Sequence, residues 1–181
     1  MSVFLLVASI IVWLAAIFML PSRPMYSPAL SYMGLLALSF CESDGLAWLP
    51  INNNMLISWL CITVVVMMAT MLQPASVRMQ TRGMAYIIGG AIVGLAIGLL
   101  GFTVASSIAM LYAIMIVATA AGIFFGFLLY SNTPDGRAVG ITSGHFFNYL
   151  LAKGFPTAVT IMQIGLVFVL IIYQHNAPAI Q

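Results

Sequence analysis

Long apolar runs separated by short polar stretches organise this chain. Six runs are centred near residues 12, 35, 64, 93, 118 and 165. A membrane-crossing helix needs roughly 20 mostly apolar residues, so the pattern predicts spans over about 3–20, 27–42, 55–72, 84–101, 107–130 and 156–173. Residues 84–130 are almost wholly apolar and too long for one crossing, so they form a hairpin that turns near 101–107. Pro21 and Pro24 stop the first run, because proline cannot donate the next helical hydrogen bond. Ser27 reads as an N-cap with Pro28 in the first turn of the second run. The expected fold is an all-α polytopic membrane bundle of six transmembrane helices.

Composition carries the same message. Of 181 residues, 64% are hydrophobic and 4% charged. A water-soluble domain has about a quarter of its residues charged, so most of this surface is expected to face lipid. Five scattered basic residues form no stripe for nucleic acid. The first run has no basic leader and no small-x-small cleavage site, so it reads as a retained span.

Charge supplies the orientation. With six crossings, Arg23, Arg78, Arg82, Arg137 and Lys153 all fall in loops on one side. The positive-inside rule makes that side the cytoplasm and leaves both termini outside. The expected location is the cell membrane, as a multi-pass protein of the bacterial inner-membrane type. The second run is the shortest, and the topology depends on its crossing. Tyr26, Tyr86, Tyr130 and Tyr149 fall near the inner face; Trp48, Trp59 and Tyr173 fall near the outer one. Trp13, Tyr32 and Tyr112 lie deeper and are expected to find hydrogen-bond partners between helices. Between 42 and 54, Glu42, Asp44 and Asn52–Asn54 face water, with Leu46, Trp48, Leu49 and Ile51 in the headgroup region. Cys41 and Cys61 read as buried packing residues.

Small residues give the clearest local signal. Gly90, Gly94 and Gly98 recur every four residues on the fourth span, and Ala118, Gly122 and Gly126 on the fifth. That spacing lets helix backbones approach closely in lipid. The stripes serve either the hairpin itself or a contact with another subunit.

Candidate chemistry is sparse. The middle of each span carries no ionisable residue, which argues against a proton-driven pump. Gln163 is the one amide near a span midplane; Ser31, Ser39, Ser58, Thr63, Thr119 and Thr160 are weaker polar groups inside spans. The inner loop, 131–155, holds the turn Thr133-Pro134-Asp135-Gly136. After it, Phe146, Phe147, Leu150 and Leu151 share a helical face that His145, Asn148 and Lys153 leave. An inner-face amphipathic segment over about 143–153 is expected, either interfacial or re-entrant. His145 has no metal partners, since His175 lies past the last span on the other side and zinc needs three or four convergent ligands. Ser143 and Asp135 near His145 match no triad spacing. No cofactor, metal or catalytic step is expected.

Two functions fit. One is a small channel or facilitator for a neutral or weakly polar solute, with Gln163, His145, Asn148, Lys153, Ser31 and Thr119 along its path. The other is a non-catalytic membrane-embedded subunit of a larger complex. The partners expected are the bilayer and either further copies of this chain or other membrane subunits.

Overall fold

The computed structural model describes residues 2–43, 46–47, 49, 51–79, 81–101, 107–139 and 144–176. Asp44, Trp48, Ser143 and the turn at 102–106 lie outside the described residues, as do the side chains of Glu42, Tyr173 and His175. The elements are α1 (Ser2–Met19), α2 (Ser27–Ser39), α3 (Asn53–Met71), α4 (Ala75–Met79), α5 (Met84–Leu100), α6 (Ile108–Ser131), α7 (Phe146–Tyr149) and α8 (Phe155–Asn176). A two-residue antiparallel pairing of Glu42–Ser43 with Leu46–Ala47 sits between α2 and α3. The molecule is otherwise helical.

Three helices are long and apolar enough to cross a membrane: Asn53–Met71, Ile108–Ser131 and the continuous helix Phe146–Ile172. Phe4–Met19 and Met84–Leu100 are shorter apolar helices. α2 has 13 residues, so it is about 20 Å long against a hydrocarbon core of about 30 Å. It also turns Ser27, Ser31 and Tyr32 into the protein. It packs between α1, α3 and α8 and leaves Met33 exposed.

Local chemistry fixes the helix ends. Asn52 caps α3 by accepting from the Asn54 amide at 3.3 Å, and Ser107 caps α6 by accepting from Met110 N at 3.3 Å. Ser27, read as an N-cap, is instead the first residue of α2. Its hydroxyl donates to the Ala16 carbonyl of α1, so a tertiary bond replaces the cap. After α6, Thr133 Oγ1 donates to Tyr130 O at 2.6 Å and accepts from Gly136 N at 3.2 Å. The expected turn forms there.

The largest departure is at Pro156. The sequence places a break before it, but helix runs unbroken from α7 through a π-turn, Leu150–Gly154, into α8. Proline lacks the N–H for the α register and crowds the carbonyl four residues back. The wider π register directly before it relieves both.

α8 is the hub. α1, α2, α3, α5 and α6 all pack on it, and Leu166, Val169 and Leu170 are buried. One apolar cluster joins it to Leu35, Trp59, Leu111 and Met115. A second joins it to Leu20, Met84, Ile87, Phe127 and Tyr149. Leu49, expected at the headgroups, is buried in the first cluster.

α5 and α6 meet along their small residues. A Cβ built on Gly90 would lie 3.2 Å from Gly126 Cα and collide with the Gly122 carbonyl. One on Gly94 would lie 3.0 Å from Thr119 Cα and collide with the Ala118 carbonyl. One on Gly98 would reach Met115 Cα at 2.8 Å. The hairpin is thus zipped backbone to backbone along its small residues.

Candidate functional site, the polar face of the central helix

Lys153, Thr157, Thr160 and Gln163 are spaced by four, three and three residues, which puts them along one side of the central helix. All four are fully buried. Across from them stand Ser31 of α2 and Thr63 and Thr70 of α3, also buried.

Gln163 Nε2 donates to Thr63 Oγ1 at 2.8 Å. Thr63 in turn donates to Trp59 O at 2.7 Å. Ser31 Oγ donates to Thr160 O at 3.2 Å, while Thr157 Oγ1 donates to Lys153 O at 2.8 Å. Two oxygens in this group, Gln163 Oε1 and Thr160 Oγ1, are buried without a hydrogen-bond partner. Such groups are rare inside proteins and costly away from water. Oε1 is an acceptor; the Thr160 hydroxyl can donate or accept.

One end of the bundle is basic. Arg78 Nη1 reaches Met25 Sδ in the α1–α2 connection at 4.0 Å. Lys153 Nζ donates to Arg78 O at 2.6 Å. Tyr149 OH donates to Arg82 O at 2.8 Å. Arg82 faces Asp135 at 3.6 Å, the one ion pair among the described residues. These contacts gather the α1–α2, α3–α5 and α6–α7 connections, which carry Arg23, Arg78, Arg82 and Arg137, around the turn that holds Lys153. Tyr86, Tyr130 and Tyr149 meet at this end, with ring centroids 5.9 Å apart in both the Tyr86–Tyr130 and the Tyr130–Tyr149 pair.

The predicted path residues divide into separate groups. Gln163 and Ser31 belong to the polar face. Thr119 is buried, but its hydroxyl donates to Met115 O within its own helix at 2.7 Å, and the structure links it to neither. His145 is exposed and Asn148 partly exposed at the start of α7. Lys153, expected on the water-facing side of an inner-face helix, is instead enclosed, and Tyr149, Ala152 and Gly154 turn inward beside it. Phe147 of α7 and Phe155 at the start of α8 face out. Sequence reading names Thr160 and Gln163 as polar groups inside the last span, but it does not join Thr157 or Arg78 to Lys153. For Thr157 and Thr160 the signal is the spacing from Lys153, visible only if helix continues through Pro156; Arg78 joins through the tertiary bond from Lys153 Nζ to its carbonyl. Trp13, Tyr32 and Tyr112 find the inter-helix partners expected of them: Ser31 O at 3.1 Å, Leu56 O at 3.1 Å and Met55 Sδ at 3.9 Å. Cys41 is buried as expected, whereas Cys61 is exposed on the outside of α3.

Among the described residues, two cavities open on the outside of the bundle. One, about 520 Å³, follows the α5–α6 seam past Gly90, Gly94, Gly122 and Gly126, flanked by Val93 and Phe125. The other, about 180 Å³, lies between Ile123 and Phe124 of α6 and Gly154, Phe155 and Ala158. Both are apolar. No family model, curated protein or solved structure matches this chain.

Proposed function

We propose that this chain is a multi-pass membrane protein whose central helix lines the passage of a facilitator for a neutral or weakly polar solute. The observation that carries this reading is the pair of unpartnered buried oxygens, Gln163 Oε1 and Thr160 Oγ1. In a bundle surrounded by lipid, a polar group without a partner marks a place where a polar guest gains a hydrogen bond. Ser31 and Thr63 supply further hydroxyls to the same face. Every residue of the face is fully buried, so this conformation is closed, and passage requires α2 or α3 to move against α8. The reading involves no catalytic step and no cofactor.

The gathering of the basic connections at one end supports the six-crossing topology, with that end cytoplasmic and both termini outside a cell membrane. In this reading α1 and α2 form the first two crossings. The residues after α2 supply the length that α2 lacks.

The test is solute flux in liposomes holding the purified protein. Small neutral polar solutes, such as urea and glycerol, should enter faster than into empty liposomes, and Gln163→Leu should remove most of the difference. Equal entry with and without protein would end this reading.

A second reading, a non-catalytic subunit of a larger membrane complex, draws on the α5–α6 groove. Its glycine floor gives a neighbouring helix room for close approach. Native mass spectrometry of protein released gently from its own membrane separates the two. Stoichiometric foreign subunits favour the second; a monomer or a closed homo-oligomer favours the first.

A further inference from the structure

The basic end holds more positive charge than the chain can neutralise. The sequence has three acidic side chains, Glu42, Asp44 and Asp135. Asp135 is exposed and faces Arg82. Glu42 follows α2, a helix that leads away from the Met25 contact. Among the described residues, no carboxylate pairs with Arg78 or Lys153.

Both residues are also under-bonded. An ammonium carries three donors, and Lys153 Nζ makes one hydrogen bond, to Arg78 O at 2.6 Å. The Lys153 side chain is fully enclosed. Burying a charge with no countercharge is unfavourable, and the usual remedy is a paired ion. Arg78 is half-buried. Its Nε is buried with no partner, and its Nη1 has a weak acceptor, the Met25 thioether, at 4.0 Å. Lys153 thus rests on the backbone of the residue that carries the guanidinium, and a guanidinium fork with a lysine point charge is the pair of groups that suits a tetrahedral oxyanion.

We infer that Arg78 and Lys153 form a binding site for a phosphate group at the basic end of the bundle. The phosphate belongs to an anionic lipid headgroup or to a soluble phosphate. A site among helix ends on the cytoplasmic side suits the first source, since basic pockets there take anionic headgroups. Arg78 enters from the short α4, which packs on α7 and the π-turn. The site therefore joins the α3–α5 connection to the central helix, and its ligand would hold the two together.

The experiment is native mass spectrometry of the full chain in mild detergent with added phosphatidylglycerol or phosphatidylcholine of the same acyl chains. A parallel thermal-shift series uses inorganic phosphate. If the ligand is a headgroup, phosphatidylglycerol is retained over phosphatidylcholine, and Arg78→Gln and Lys153→Met each weaken it by about tenfold, the effect of losing one charged hydrogen bond. If it is soluble, inorganic phosphate stabilises the wild type and not the two variants, with no preference between lipids. Arg137→Gln removes an exposed charge from the same end and should leave either effect intact. Equal weakening by Arg137→Gln would mean diffuse attraction and would overturn the site. So would binding that neither Arg78→Gln nor Lys153→Met alters. Should Lys153→Met fail to fold, Arg78→Gln on the short, half-buried α4 carries the comparison alone.

Discussion

Gln163 and Thr63 are 100 positions apart in the chain, and a 2.8 Å hydrogen bond from the Gln163 amide to the Thr63 hydroxyl joins α8 to α3 inside the bundle. Thr63 passes its own proton to Trp59 O, so it is free to accept from the amide. Replacing Thr63 by Val removes the acceptor and leaves both ends of a buried amide unpaired. Replacing Gln163 by Leu removes the amide with its unpartnered Oε1 and keeps the volume. Thr63→Val should therefore destabilise the protein by about 1–2 kcal/mol, and Gln163→Leu by less. Reversible unfolding in bicelles measures both. The opposite order would mean that the amide is bound to something other than Thr63.

Gly94 and Gly89 lie on the same helix and make opposite predictions. Gly94 faces the Ala118 backbone, which cannot move aside as a side chain does, whereas a Cβ on Gly89 meets nothing within 4 Å. Gly94→Ala should cost about 1–3 kcal/mol by forcing α5 from α6. Gly89→Ala should fall within about 0.5 kcal/mol of the wild type. The same bicelle unfolding reads this pair. If Gly94→Ala is neutral and instead changes oligomeric state, the stripe serves a second chain.

Some of this architecture is readable in the sequence because it is local. The i, i+4 glycine spacing specifies close helix approach wherever the partner stands, and α5 and α6 meet through those residues. Long apolar runs announce α3 and α6. The central helix was not readable, because Pro156 looks like a start signal and only the π-turn before it lets the helix continue. That one misreading moved Lys153 from the interior to the surface and hid its register with Thr157, Thr160 and Gln163. Ser27 shows the same limit on a smaller scale: its sequence suits a cap, and the Ala16 carbonyl decides otherwise. The five-residue α4 after Pro74 carries no periodic signal at all, yet it supplies Arg78.

The Arg82–Asp135 pair should matter little. Both side chains are largely exposed, and their separation is 3.6 Å. Ion pairs of this kind contribute about 0–1 kcal/mol and weaken with salt. Asp135→Asn should shift the thermal midpoint in detergent by no more than a degree or two, and not at all at high salt. A large, salt-independent loss would mean that the carboxylate holds the Thr133–Gly136 turn through its backbone, not through charge.

The topology rests on α2, and side-specific labelling decides it. The Arg78–Met25 contact places the α1–α2 connection with the α3–α5 connection, so α2 leads away from the basic end and α3 returns to it. A chain free of Cys41 and Cys61 should accept single cysteines at three exposed positions: Arg23→Cys, Asn53→Cys and Arg137→Cys. In sealed inverted vesicles a membrane-impermeant maleimide should reach positions 23 and 137 and spare 53. Right-side-out vesicles should reverse the pattern. α2 is about 10 Å shorter than the hydrocarbon core, so this outcome requires the residues after Ser39 to complete the crossing under cover of the other helices. Labelling of positions 23 and 53 from the same side would show that they do not. Arg23 would then lie on the face opposite Arg78, Arg82, Arg137 and Lys153, and the six-crossing topology would fail.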